Sequence, residues 1–308
     1  MHRLIHSGSH PANPAAAGSA WSAVGAALRR DGLGHRCLPQ QTRCLSGPSP
    51  GKESRRKAAP TVFCNALGVF ARTILLFGAL VAAVAAHAQL GEEIARKHAA
   101  RAGDRLAALT ALRAEGRTFI AGEVVPFLSL AERPNRLRVE SFTPLRRVVQ
   151  VYDGEHPPWI SHTEVKAGAP REMNAGEAKD SIANADFDGP LLNHAAKGYS
   201  VDYAGEEVIF GRAALNLLVM NKSDDIFFLW VDGQTYEVVK RTVYRVFNNR
   251  RVAVDTYFKD FREVGGVLQP HRIETESEGR TIYVMLIDRM VANPATIPAD
   301  AFARPGGG

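Results

Sequence analysis

The stretch from Ile226 to Val291 constrains the fold more than any other part of the chain. Ile226 to Val231 is a short apolar run closed by Asp232-Gly233, a dipeptide that tolerates positive φ and so marks a hairpin turn. Tyr236 to Phe247 runs back, Asn248-Asn249 turns, Val252 to Val264 follows, and Gly265-Gly266 reverses the chain into Val267 to Ser277. Gly279 then introduces Arg280 to Ala292. Turns this short force antiparallel pairing, because a parallel crossover needs about a dozen residues or more. Ile226 to Val231 and Ile282 to Ile287 are apolar at odd and even positions alike, so both faces of this meander are expected to be covered.

Upstream the same texture continues. Tyr199 to Phe210 and Arg212 to Met220 form a hairpin around Gly211, and Arg117 to Val125, Asn135 to Phe142 and Arg146 to Tyr152 read as further strands. Pro134 pushes Arg133 towards an extended conformation and cannot donate to a ladder, which places Glu132-Arg133-Pro134-Asn135 at a strand entrance. From there the Arg133 guanidinium has two options, solvent or the interior of a curled sheet. Gly91 to Ala114 has the spacing of an amphipathic helix ending before Gly116. Pro170 to Lys197 is a long non-strand insert, with Met173, Ile182 and Leu191 spaced loosely as short helices around Asp188-Gly189-Pro190. Inserts of this kind are lids, binding loops or disordered segments. The expected fold class is mainly β with a helical lid: one curled antiparallel sheet of about ten or eleven strands, holding the helices against one face.

The net charge of +6 is misleading, because ten of the 38 basic residues but only two of the 32 acidic ones lie in residues 1–88. The rest of the chain carries a slight acidic excess, which argues against a nucleic-acid partner. Cys37, Cys44 and Cys64 also fall in that first part, so the expected fold has neither a disulfide nor a thiolate site. Residues 70–88 contain Arg72, an apolar core from Ile74 to Ala86, and Ala86-His87-Ala88, the three parts of a secretory signal peptide. Cleavage near Ala88 predicts a soluble periplasmic product, residues 89–308, with no cysteine placed for lipid anchoring. Residues 1–69 are expected to be disordered or to precede the native start, since an export signal does not normally begin seventy residues in.

Recognisable catalytic patterns do not occur, and the expectation is no enzyme, no cofactor and no metal. The five histidines after Ala88 (His98, His156, His162, His194, His271) lack paired metal spacing on a helix. Asp186/Asp188 and Asp224/Asp225 lie in turn-like contexts that favour capping over acid and base work.

The residues also carry a resemblance. Arg133-Pro134-Asn135 after a first strand, Asp153-Gly154 with Trp159 soon after, Asp186-Phe-Asp-Gly-Pro-Leu191, Gly211-Arg212-Ala213, Val231-Asp232 with Thr235, and Phe258-Lys-Asp-Phe-Arg-Glu-Val-Gly265 leading to Pro270 follow in order over about residues 90 to 305. In that order they resemble the periplasmic outer-membrane lipoprotein-sorting proteins, the LolA-like lipoprotein carriers. The resemblance implies an open half-barrel of about eleven strands whose helical lid covers a hydrophobic concave face. It implies a carrier that shields lipoprotein acyl chains, or a related envelope lipid, between an inner-membrane ABC transporter and an outer-membrane acceptor. The alternative is a module of the same fold that senses or binds envelope lipids without shuttling them. By position Arg133 is the residue that would hold the lid closed and govern release. The expected lining of a lipid-sized pocket is Phe119, Leu137, Val139, Leu217, Phe228, Trp230, Tyr283 and Met285, with Met173, Ile182 and Leu191 on the lid.

Overall fold

Thirteen strands pair into a single antiparallel sheet in the computed structural model, which describes residues 87–143, 146–163, 169–223, 225–247 and 249–305. In chain order they are β1 (Ala111–Ile120), β2 (Glu123–Glu132), β3 (Arg136–Thr143), β4 (Arg146–Tyr152), β5 (Trp159–Thr163) and β6 (Arg171–Glu172). After the insert come β7 (Ser200–Ile209), β8 (Arg212–Met220), β9 (Ile226–Asp232), β10 (Val238–Phe247), β11 (Arg250–Val264), β12 (Val267–Ser277) and β13 (Arg280–Ala292). The spatial order is β6-β5-β4-β3-β2-β1-β13-β12-β11-β10-β9-β8-β7, so the only non-sequential neighbours are β1 and β13. The two edge strands, β6 and β7, do not meet, and the sheet stays open.

Tight hairpins set the register. Gly265 and Gly266 have φ of 60° and 82°, the paired positive values of a two-residue turn that matches strand twist, and they join Val264 directly to Val267. Ala121-Gly122, Phe210-Gly211 and Glu278-Gly279 make the same turn with a non-glycine residue first. Asp232-Gly233, expected to turn as a pair, instead opens a longer loop. There the Asp232 carboxylate accepts from the backbone N–H of Gln234 (2.9 Å) and Thr235 (2.8 Å), and Arg212 donates to it at 3.0 Å.

The described part of the first helix, α1, covers residues 87–102, and a separate turn of helix, α2, covers Asp104–Ala108. The expected single helix to Ala114 is therefore too long. Gly103 breaks it at φ 53°, and Leu112 and Ala114 instead pair with Ala131 and Ser129 of β2. The segment expected as one strand from Arg117 to Val125 is instead the end of β1 and the start of β2, reversed at Ala121-Gly122. The insert contains α3 (Ala175–Ala185) and α4 (His194–Lys197). The expected leader lies outside the described residues except for 87–88, which are helical.

One face of the sheet takes the helices. Ile94 and Ala95 of α1 pack with Leu191, Val201, Leu217, Val219, Leu229 and Val231. Gly91 lets α1 approach β7 so closely that a Cβ there would lie 2.4 Å from the Val201 carbonyl oxygen. Farther along, Leu106 and Leu109 pack with Leu112, Val264 and Val267. The opposite face is covered over β2 to β5 by the C-terminal segment, where Ala301 and Phe302 pack on Leu130, Val149, Val151 and Trp159.

The helix-bearing face is concave. Ala178 of α3 packs towards Ile160 on β5, while Asp180 of the same helix bonds Arg245 on β10. Eight strand spacings separate β5 from β10 in the order above, about 38 Å if flat, far beyond the reach of one helix about 10 Å across. Only a curled sheet satisfies both contacts.

The α1 contact contains two buried titrating groups. His98 Nδ1–H donates to the Tyr236 carbonyl at 2.7 Å, and Arg101 pairs with Glu237 at 2.5 Å. Burial, with the Arg101 charge, pushes His98 down to about 4, while burial pushes Glu237 up to about 7 against the pull of Arg101. A lowered histidine contributes stability that is complete above about pH 6.5 and is lost as pH falls towards 4, on the order of 3 kcal/mol. Glu237 has the opposite sign, its contribution being lost as pH rises from about 4.5 through 7. His98→Gln should flatten the acid-side loss in thermal melts between pH 6.5 and 4; an unchanged slope would contradict this assignment.

Candidate functional site

Helix α3 lies over the concave face as a lid, and its ends are built for it. Asn174 caps the start: its side chain accepts from Gly176 N (3.1 Å) and Glu177 N (3.0 Å), and Glu177 Oε2 accepts from Asn174 N at 3.0 Å. Arg171 holds that Glu177 at 3.0 Å. The underside carries small residues at helical spacing, Ala178, Ser181 and Ala185, with Ser181 and Ala185 buried. They face Leu137, Val139, Tyr152, Val148 and Ile160. Around the margins charges tie the lid down. Asp180 bonds Arg245, Lys179 meets Asp225 at 2.5 Å, and Lys197 donates to Asp186 at 2.6 Å and to the Gly189 carbonyl at 2.9 Å. Asp186 caps the end of α3 and its carbonyl takes the Gly189 N–H in a turn, as expected; it and Asp188 are also ion-pair partners, and Asp224 lies outside the described residues.

Arg133 occupies the junction of three elements. The Arg133-Pro134 bond is cis at the entrance to β3. The guanidinium faces inward, donating from Nε to the Leu109 carbonyl (2.6 Å) and from Nη2 to the Leu106 carbonyl (2.8 Å), which also takes the Leu109 N–H at the end of α2. The same fork grips Asp188 of the lid with both outer nitrogens, one of them at 2.7 Å, and lies 4.9 Å from the Phe187 ring centre.

The expected lining residues separate by strand parity. Leu137, Val139, Leu217, Tyr283 and Met285 lie on the concave face: Leu137 packs under α3, Leu217 under α1, and Tyr283 and Met285 pair with Ile120 and Thr118 on the same side. Phe119, Phe228 and Trp230 lie on the opposite face and do not line the site. Phe119 pairs with Val124 and is exposed, while Phe228 and Trp230 alternate with inward Leu229 and stack in a tilted pair 6.1 Å apart. There Lys240 lies 4.4 Å from the Trp230 ring centre. On the lid, Met173 and Leu191 are buried, whereas Ile182 is turned out to solvent. The crevice between α3 and β3 to β5, bounded by Leu137, Val139, Ile160, Met173, Ser181 and Asn184, has room for about one water molecule. The lipid-sized pocket expected here is filled in this state by the lid, so any acyl chain entering it requires α3 to move.

No group of three or more His, Cys, Asp or Glu among the described residues is placed to hold a metal. Among the same residues no helix is long and apolar enough to cross a membrane.

The chain is therefore an open antiparallel half-barrel with a helical lid on its concave face. No family model and no curated protein matches the sequence. Solved structures are similar to it. One is described as an outer membrane lipoprotein-sorting protein domain from Vibrio parahaemolyticus: 12% identity, 70% of this chain and 97% of that chain, TM-score 0.49. A DUF1329 family protein from Desulfovibrio piger has 14% identity over 70% and 97%, TM-score 0.47, and a LolA superfamily protein from Nitrosomonas europaea has 17% over 62% and 88%, TM-score 0.45. With these TM-scores below 0.5, the architecture rests on this chain's own strand pairing.

Asp188→Asn should loosen the lid. The Asp188 side chain is 8% exposed and that of Arg133 29%, so the loss is about 2 kcal/mol, below the full cost of splitting a dry pair. Hydrogen exchange is expected to quicken across residues 175–197; protection equal to that of the parent protein would show that the pair does not hold the lid.

Proposed function

We propose that the protein is a periplasmic carrier that shields the acyl chains of lipoproteins, or of a related envelope lipid, on the concave face after α3 lifts. The observation that carries this reading is the mismatch across the lid. A helix presenting Ala178, Ser181 and Ala185 covers strands presenting Leu137, Val139 and Ile160, and is fastened mainly by ion pairs at its edges. Helix α3 itself contributes little apolar burial, so lifting it costs chiefly the pairs at its margins. The aliphatic surface it uncovers then needs another apolar cover, and an acyl chain of about fourteen methylenes gains on the order of 11 kcal/mol when removed from water. A lid that costs something to open weakens retention and permits release.

In this reading residues 70–88 direct export, the domain begins near residue 89, and the partners are an inner-membrane transporter and an outer-membrane acceptor. Arg133 holds the closed state, because its fork ties α2 to Asp188. Leu137, Val139 and Met285 are the apolar contacts for cargo, whereas Leu217 stays covered by α1.

Native mass spectrometry of protein purified from the periplasm tests the reading first. The expected result is co-purifying acyl-bearing lipid, together with uptake of one acylated ligand by stripped protein; neither appearing would count decisively against a carrier. Arg133→Leu should retain cargo longer when acceptor vesicles are offered, and release at the parental rate would refute the role given to Arg133.

A further inference from the structure

The concave face has a polar stripe where an acyl site alone needs none. Tyr283 of β13 pairs with Thr275 of β12, Thr275 with Thr256 of β11, and Thr256 with Arg241 of β10, forming one row across the floor. Apolar rows flank it: Met285, Ile273 and Phe258 on one side, Val254, Val243 and Phe227 on the other. The row is internally bonded in its middle, with the Thr256 and Thr275 hydroxyls 3.3 Å apart, beside the buried Tyr283 side chain at one end. At the other end, Arg241 Nε is buried and has no hydrogen-bond partner. Arg245 follows on the same face of β10 and is bonded by Asp180 of α3. The charge of Asp180 also acts on Arg241, whose pKa burial pushes down while Tyr283 and Asp180 pull it up.

Arg245 is thus bonded by a carboxylate that belongs to the lid, and Arg241, on the same face of β10, lies in the field of that carboxylate. When α3 lifts, Asp180 leaves with it, and two cations remain on a floor flanked by apolar rows. An uncharged acyl ligand would leave them without a counter-charge, which is costly in such surroundings. An anion arriving with the acyl chain replaces Asp180.

We infer that this floor binds the oxyanion of an acidic amphiphile, a carboxylate or phosphate carried on an acyl chain, with Arg241 and Arg245 as its donors and the lid's Asp180 as the group it displaces. The inference rests on the acyl-binding reading and narrows it, since a fully acylated lipoprotein terminus carries no such anion. Binding and opening are then coupled, because the ligand and Asp180 compete for the same guanidinium groups.

Titration of the full-length exported protein with dodecyl phosphate, dodecanol and inorganic phosphate tests it. The expected result is that dodecyl phosphate binds about tenfold or more tightly than dodecanol, the scale of one or two charge-assisted hydrogen bonds, and that inorganic phosphate does not bind at those concentrations. Arg241→Met should cut the preference severalfold while leaving dodecanol binding intact, and Arg241→Lys should restore part of it. If the Met variant fails to fold, as judged by its thermal melt, Arg241→Gln takes its place. Equal binding of the two dodecyl compounds, or a preference that survives the neutral substitution, overturns the anion site and leaves acyl binding standing. Inorganic phosphate binding as tightly as dodecyl phosphate overturns the amphiphile and leaves a plain anion site. Binding of none of the three sinks the acyl-binding reading, and the inference with it.

Discussion

Arg133 is the interaction on which the closed arrangement depends. Its guanidinium takes two carbonyls from the end of α2, at Leu106 and Leu109, and a carboxylate from the lid at Asp188. Planar, permanently charged and forked, it alone among side chains meets both demands at once; a lysine in its place has neither the geometry nor the donors. The element it secures is weakly held elsewhere, because α3 turns small residues to the sheet. A lid fastened by a few polar contacts over an aliphatic surface has two accessible arrangements, and a ligand shifts the balance only by its preference for the open one.

The two faces of the sheet are covered by different means. The concave face uses helices and a polar stripe. The outer face uses the C-terminal segment over β2 to β5, and farther along a set of rings and lysines in which Lys240 and Lys259 lie over Trp230, Tyr257 and Phe210. Arg138 belongs to that outer side, bonded to Glu140 and to the Ala301 carbonyl at 2.7 Å, so its charge does not enter the concave face.

Much of this was legible in the sequence. The last two strands match their expected limits because Gly265-Gly266 and Glu278-Gly279 mark them with residues that suit positive φ. The β1–β2 turn was not legible, since its first residue is Ala121, an ordinary alanine held at φ 50°, and the alanine-rich approach to it reads as helix. Parity failed at Phe228 and Trp230 for a related reason: a strand apolar on both sides gives no alternation from which to choose a face. Arg133 was legible through Pro134, which fixes it at a strand entrance. Arg241 was not, because Lys240 and Arg241 are adjacent and only the register with Thr256 and Leu229 turns the second of them inward.

The central claim is that α3 leaves the concave face when a ligand enters. The chain after Cys64 has no cysteine, so spin labels placed through Ile182→Cys on α3 and Val246→Cys on β10, both solvent-exposed, report on the lid without disturbing its underside. Pulsed electron paramagnetic resonance on the labelled protein with and without an acylated ligand is the direct measurement. The account predicts a single short separation in the free protein and a longer one with ligand bound; a separation that stays the same at saturating ligand would contradict it.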